Sequence, residues 1–322
     1  MSEMPLLSVE GLKKYYTVNT FWGRKRLIKA VDAVSFQVRT GRTLGLVGES
    51  GCGKSTVGKT LLRLERANSG KVVFDGQDIS NLEGKSLRSL RKNMQMIFQD
   101  PYSSLNARMK VRDILAEPYL IHGLAGGAEL HGHVSRLLDM VGFSPETGNK
   151  YPHEFSGGQR QRIVIARAIS LNPKFVVCDE PVSSLDVSVQ SQIINLFKRL
   201  QKELGLAYLF ISHDLSVVRH VSDEVGVMYF GKMAELGNVK DIYEQPLHPY
   251  TQALLSSIPI PNPIAQRSRE QIFLMADLPS PFNPPDGCRF HTRCKFCSPS
   301  CLSLDPEWRE VRKGHWVACH LY

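Results

Sequence analysis

The stretch TLGLVGESGCGKST, residues 43–56, constrains this chain more than any other. A short apolar run enters a glycine-rich loop, and the residues that follow, TVGKTLLRLERANSG, have helical spacing. Gly48, Gly53, Lys54 and Ser55 complete GxxxxGK[ST], a phosphate-binding loop that requires a strand before it and a helix after it. Glycines let consecutive backbone N–H groups turn inward around an anion, and the helix N-terminus adds its positive end. The loop predicts an α/β fold, with Ser50, Gly51, Cys52, Gly53 and Thr56 around a nucleotide's phosphates. Lys54 is expected on the β- and γ-phosphates and the Ser55 hydroxyl on Mg²⁺.

Two further apolar runs end in polar residues. KFVVCDEP (174–181) reads as a buried strand over 175–178 that delivers Asp179 and Glu180. LAYLFISHD (206–214) delivers His213. In open parallel sheets ligands collect where strands reach their carboxyl ends. Asp179 suits Mg²⁺ through water, Glu180 suits a general base on the attacking water, and His213 suits a γ-phosphate sensor. Cys178 reads as a small core residue, and Cys52 as a loop residue chosen for size.

At 322 residues the chain has room for about two domains. Its 42% apolar and 22% charged content is that of a soluble globular protein. No apolar run approaches the ~18 to 20 residues that span a bilayer, and MSEMPLLSVEGLKK lacks the basic-then-apolar order of a secretory leader, so a cytosolic place is expected. The formal charge of +9 raises the question of nucleic acid, but Lys and Arg are scattered, with only short clusters such as GRKR (23–26), and no nucleic-acid partner is expected.

In EFSGGQRQRIVIARAIS (154–170), Ser156, Gly157, Gly158 and Gln159 open a helix whose Ile163, Val164, Ala166 and Ile169 should pack inward. With the other motifs in this order, the segment resembles the signature of the ABC (ATP-binding cassette) family. The resemblance implies an ABC-type P-loop fold in residues 1–240, with a RecA-like core, an antiparallel β part and a helical subdomain at about 102–160. It implies ATP as substrate, with Tyr16 stacked on adenine and Tyr15 as its competitor. Gln99 in MIFQDP would act at the reacting end and join Ser55 and Asp179 on Mg²⁺. SSLD (183–186) would be the D-loop, contributing Asp186. Phe155 and Ser184 stand where Leu and Ala are commoner in the family.

GESGCGKST, YPHEFSGGQRQR, HPYTQALL (248–255) and a cysteine-rich tail together resemble the F-type ATP-binding subunits of dipeptide and oligopeptide importers. The resemblance implies an ATPase peripheral to the cytoplasmic face of the cell membrane, two permease subunits and an extracytoplasmic substrate-binding protein. Each motif occurs once, whereas such cassettes sandwich ATP between two subunits, so the chain must pair. The resemblance favours a heterodimer with a D-type sister ATPase. The rival reading, a DNA-processing or other non-transport ABC ATPase, usually brings tandem cassettes or a long coiled coil, and this chain has neither. Leu130, Val134, Leu137, Leu138 and Val141 share one helical face, and the surface near Gln99 and Tyr102 is expected to receive a permease helix. His131 and His133 read as solvated. The cargo is not encoded in this subunit.

Beyond about residue 240 the texture changes. Prolines crowd 244–266 and 277–288 and predict an extended appendage within a C-terminal extension, 241–322. Five of the seven cysteines follow. Spacing alone leaves zinc, an iron–sulfur cluster and unligated thiols open, since only Cys294 and Cys297 make a close pair. The importer resemblance implies a [4Fe–4S] cluster on Cys288, Cys294, Cys301 and Cys319, which match C-x5-C-x6-C-x17-C. Cys297 is then spare, zinc is the alternative, and the expected role is to staple a tail that lacks its own core.

Overall fold

The computed structural model describes residues 4–19, 25–259, 280 and 282–322. Its strands, in chain order, are β1 (Leu7–Asn19), β2 (Lys25–Val38), β3 (Thr43–Val47), β4 (Ser69–Phe74), β5 (Gln77–Asp78), β6 (Met94–Ile97), β7 (Phe175–Asp179), β8 (Ala207–Ile211), β9 (Glu224–Tyr229), β10 (Lys232–Asn238), β11 (Trp308–Arg312) and β12 (His315–Ala318). They fall in two compact units.

The first unit comprises Met1–Val38, Thr43–Asn81 and Ser212–Tyr322. It contains the antiparallel sheet β2-β1-β4-β5 and the strand series β11-β12-β10-β9-β3. In β2, Val34, Phe36 and Val38 are buried while alternate residues are not, the period of a strand with one covered face. All five residues of β3 are buried. This strand runs parallel to β9, Leu44 opposite Glu224 and Val47 opposite Val227, and reads as the continuous apolar run of a strand covered on both faces.

The second unit comprises Arg39–Arg42 and Leu82–Ile211. Here β8, β7 and β6 lie side by side and parallel, with Phe175 opposite both Met94 and Ala207. Within residues 102–160 lie helices Val111–His122 and Gly127–Met140. Val134, Leu137, Leu138 and Val141 are buried, and Leu130 is half-buried. Helix Gly157–Ile169 buries Ile163, Val164, Ala166 and Ile169 as the periodicity requires. No described helix is long and apolar enough to cross a membrane.

The tail differs from a plain extended appendage. Pro249 starts a helix, Pro249–Ser256, at the position where a missing N–H costs nothing. Further on, β11 and β12 form a hairpin that turns at Gly314 (φ +74°). β12 pairs with β10, Val317 opposite Glu235 and Trp316 opposite Leu236, so the tail extends a sheet edge. The proline-rich residues 260–279 and the first two residues of GRKR lie outside the described residues.

Candidate functional site

At the end of β3 the chain turns through Gly48, where a Cβ would lie 2.2 Å from the Met228 carbonyl oxygen. At Gly53 (φ +105°) a Cβ would lie 2.0 Å from that of Ala30. Both contacts are with backbone, which cannot give way, so glycine is required at these two places. Helix Lys54–Leu61 begins immediately and no side chain caps its first N–H groups. Lys54 is only 5% exposed. Its ammonium donates to the carbonyl oxygens of Gly48 at 2.7 Å and Glu49 at 3.0 Å. Ser50 and Gly51 are exposed, Ser55 and Thr56 half-buried. Cys52 is buried, and that burial pushes its thiol up, in keeping with a packing role.

In the second unit β7 ends at buried Asp179. Glu180 follows at φ +47°, a conformation glutamate adopts at a cost, and its N–H donates to the Ile211 carbonyl at 2.9 Å. Its carboxylate accepts a hydrogen bond from Gln99 Nε2 at 2.9 Å. The structure thus joins two residues that lie 81 apart in sequence and were predicted separately. The Ser183 hydroxyl donates to the Glu180 carbonyl at 3.1 Å, tying the SSLD segment to the same turn.

Ser156 and Gln159 cap the signature helix reciprocally: Gln159 N–H donates to Ser156 Oγ at 3.4 Å and Ser156 N–H to Gln159 Oε1 at 3.0 Å. At Gly158 a Cβ would lie 2.3 Å from Val189 Cγ1, so the helix packs where only glycine fits. Phe155 is buried edge-on against Phe143, centroids 5.8 Å apart, which accommodates the departure from leucine. Ser156, Gln159 and Asp186 are exposed. So is His213, in the first unit, just before Asp214 caps helix Leu215–Val221.

Tyr15 and Tyr16 part company. The Tyr15 hydroxyl donates to Asp32 Oδ1 at 2.5 Å and its N–H to Asn68 Oδ1 at 2.6 Å. Burial, with help from Asp32, pushes the Tyr15 phenol up to about 12. Neighbouring side chains on a strand leave by opposite faces. The Tyr16 ring has the Lys14 ammonium 4.8 Å from its centroid.

A network absent from the sequence reading ties the tail to the phosphate loop. Arg293 donates to both oxygens of Glu49, at 2.8 and 3.1 Å. Arg289 pairs with Asp32 and donates to the Phe230 carbonyl. Burial raises the Asp32 carboxyl, but the Tyr15 hydrogen bond and the Arg289 charge outweigh it and bring it below its ordinary value. Phe290 packs against Tyr229, Tyr250 and His248 with centroids 5.2, 5.4 and 5.6 Å away. Fully buried Glu235 accepts from the N–H groups of Leu247 and His248 and lies 2.7 Å from His315 Nε2. His248 Nδ1 accepts from the Tyr250 N–H at 3.0 Å, and burial lowers this imidazole to about 4. One signal was present in the sequence: Glu49 puts a carboxylate inside an anion-binding loop, which calls for a counter-charge.

Comparison with known proteins places this geometry. A family described as "ABC transporter" matches residues 31–183, and one described as "Oligopeptide/dipeptide transporter, C-terminal region" matches 234–301. The oligopeptide transport ATP-binding protein AppF of Bacillus subtilis is 54% identical over 320 residues, covering 98% of this chain and 97% of that protein. The chain belongs to the ABC transporter family, in its oligopeptide-transport branch. The oligopeptide transport ATP-binding protein OppF of Salmonella typhimurium is 47% identical, covering 98% of this ABC ATPase and 95% of its own length. Among solved structures, cbiO1 from Clostridium perfringens superposes with a TM-score of 0.65 at 28% identity, over 76% of this chain and 92% of that one. The ATP-binding cassette MJ0796 bound to ADP and Pi gives a TM-score of 0.64 at 24% identity, over 72% and 98%, and supports the cassette fold.

In this ABC ATPase Cys288, Cys301 and Cys319 are buried, Cys294 is half-buried and Cys297 is exposed. The Cys288 N–H donates to the Cys301 carbonyl at 2.9 Å. Burial pushes the Cys288 thiol up to about 11, and nearby Cys301, Cys319 and Cys294 add to the rise. The expectation of a ready-made metal centre is not met: among the described residues no three His, Cys, Asp or Glu side chains gather closely enough to hold a metal ion. His133 stacks on Tyr119, centroids 4.9 Å apart, and His131 is exposed.

Proposed function

We propose that this ABC ATPase is the motor subunit of a peptide importer, hydrolysing ATP to drive uptake of dipeptides or oligopeptides through two permease subunits. The observation that carries the hydrolytic reading is the hydrogen bond between Gln99 and Glu180 at the end of β7. Full-length likeness to AppF and OppF, tail included, supports the cargo class. We take 1–240 as the cassette, with the helical subdomain at about 102–160, and 241–322 as the extension.

The N–H groups over Ser50 to Thr56 cradle the phosphates, with Lys54 neutralising the β- and γ-phosphoryl charge. Tyr16 stacks on adenine, because Tyr15 is committed to Asp32. Glu180 takes the proton of the attacking water and His213 senses the γ-phosphate. Ser156, Gly157, Gly158, Gln159 and Asp186, of which Ser156, Gln159 and Asp186 are exposed, serve the nucleotide of a D-type sister ATPase. The residue types fit Mg²⁺: Gln99 spends its amide nitrogen on Glu180 and keeps an oxygen donor, and Ser55 and Asp179 would supply the other oxygen ligands. When bound, Mg²⁺ neutralises charge on the phosphates. The exposed surface near Gln99 and Tyr102 suits a permease helix, and on this reading the subunit sits on the cytoplasmic face of the membrane beside a binding-protein-fed channel.

The tail cysteines form a donor set for a [4Fe–4S] cluster, with zinc as the alternative. Burial pushes the Cys288 and Cys319 thiols up and neighbouring cysteines add to both rises, yet among the described residues no three are drawn in around a single ion. A cluster would favour their thiolates and staple 288–301 to the chain's last residues through four Fe–S bonds. Cys297, exposed and with its thiol near the Ser298 carbonyl, is spare.

Two measurements test these readings. In the reconstituted importer, peptide-loaded binding protein should stimulate ATP hydrolysis. Stimulation by sugars or metal chelates but by no peptide would overturn the cargo class. Purified without oxygen, the protein should contain about four iron and four sulfide per chain, lost in Cys301→Ser and kept in Cys297→Ser. Stoichiometric zinc without sulfide would replace the cluster.

A further inference from the structure

Glu49 follows Gly48 directly, in a loop shaped for polyanions. A carboxylate there opposes the ligand's charge unless it is neutralised. The Arg293 guanidinium engages both of its oxygens in the planar fork that matches a carboxylate, and its side chain is only 7% exposed against 22% for Glu49. Glu49 is held at two further points: its N–H donates to the Tyr250 hydroxyl at 2.9 Å, and its carbonyl accepts from the Lys54 ammonium at 3.0 Å. Two of these three restraints come from beyond residue 240.

The same tail segment reaches the other side of the loop. Arg289 donates to the Phe230 carbonyl and pairs with Asp32, whose N–H donates to the Gly231 carbonyl at 2.7 Å. The Gly231 N–H in turn donates to the carbonyl of Cys52 at 2.8 Å. The two arginines lie between Cys288 and Cys294, so the segment framed by those thiols delivers both.

We infer that Arg293 is a positioning residue for ATP binding, one that neutralises Glu49 and fixes the phosphate loop, and that presenting it is a function of the cysteine-rich tail. The inference rests on residues 48–56 being the ATP site. Arg293 touches no phosphate in this scheme and acts through Glu49.

A double-mutant cycle on the full chain, read as ATP affinity by calorimetry and as KM and kcat in the assembled importer, tests it. Arg293→Gln should weaken ATP binding on the order of ten-fold and raise KM alike, with kcat within about two-fold. Glu49→Gln removes the opposing charge and so leaves Arg293 nothing to neutralise, and in that background Arg293→Gln should cost less than about two-fold. Arg293→Lys, which keeps the charge without the fork, should recover at least about half of the loss on a logarithmic scale. Wild-type affinity in Arg293→Gln, or an equal penalty in both Glu49 backgrounds, would overturn the inference. If Arg293→Gln does not fold, the same cycle run with Arg293→Met, which keeps much of the length of the side chain without its charge, decides by the same two criteria. Failure of the underlying site reading looks different: Lys54→Ala would then bind ATP like wild type.

Discussion

Lys54 and Glu180 carry the two charges on which the proposed chemistry turns, and their surroundings are opposite in kind. Lys54 is 5% exposed, rests on two loop carbonyls, and belongs to a loop gripped by Arg293, Tyr250 and Gly231. Glu180 is half-buried, sits at φ +47° and is steadied through its side chain by exposed Gln99. Binding a triphosphate is an equilibrium task, for which a rigid, dry, pre-paid geometry is an advantage. A general base must instead meet water and adjust as charge develops. The strained backbone of Glu180 is fixed by its bonds to Ile211 and Ser183, while its half-buried carboxylate still reaches solvent.

The sharpest way to break this contrast is at Glu180. Glu180→Gln keeps the Gln99 contact's shape and removes the base. Hydrolysis should fall by about 10²- to 10⁴-fold with ATP affinity unchanged, measured with the site of the proposed sister ATPase silenced. Parallel losses in binding and turnover would mean that Glu180 belongs to the binding end after all. Lys54→Ala should do the reverse, weakening ATP binding by about 10²-fold or more, since each hydrogen bond from a charged donor is worth roughly 1.5–3 kcal/mol.

His248 probes the brace rather than the loop. Its folded value of about 4 lies below the ordinary 6.5, so the folded chain binds fewer protons than the unfolded chain between those values. The contribution is therefore complete above pH 6.5 and lost as pH falls toward 4, on the order of 3 kcal/mol. Thermal unfolding of the full chain followed across that range should show this acid sensitivity, and His248→Gln should flatten it. Identical profiles would remove His248 from the account. The smallest effect belongs to Ser156→Ala, which deletes one half of the signature cap. It should cost about 1 kcal/mol of stability in denaturant unfolding.

What could be read from the sequence was local. The phosphate loop announces itself because Gly48 and Gly53 are forced by backbone contacts, and Ser156 with Gln159 spells out a capping box three residues wide. The strand that ends at Asp179 is apolar throughout and admits no other reading. Gln99 and Glu180 were found one at a time, their contact not at all. The Arg293–Glu49 pair spans 244 residues and Arg289–Asp32 spans 257, and no periodicity encodes such a separation. The β11–β12 hairpin was missed for a different reason. WREVRKGHWVA is short and charged, and it is completed by pairing with β10, which the segment itself cannot announce. The prolines ahead of it argued for irregular chain.

The wiring of the tail also sets a schedule. A ribosome that has just extruded Glu49 must add 244 more residues before the arginine that neutralises it exists, roughly 10 to 50 seconds at ordinary elongation rates. During that interval the loop has an uncompensated carboxylate, and β10 gains its β12 neighbour only some residues later still. If Arg293 positions the phosphate loop as inferred, that loop reaches its binding geometry only when nearly all of the polypeptide is made.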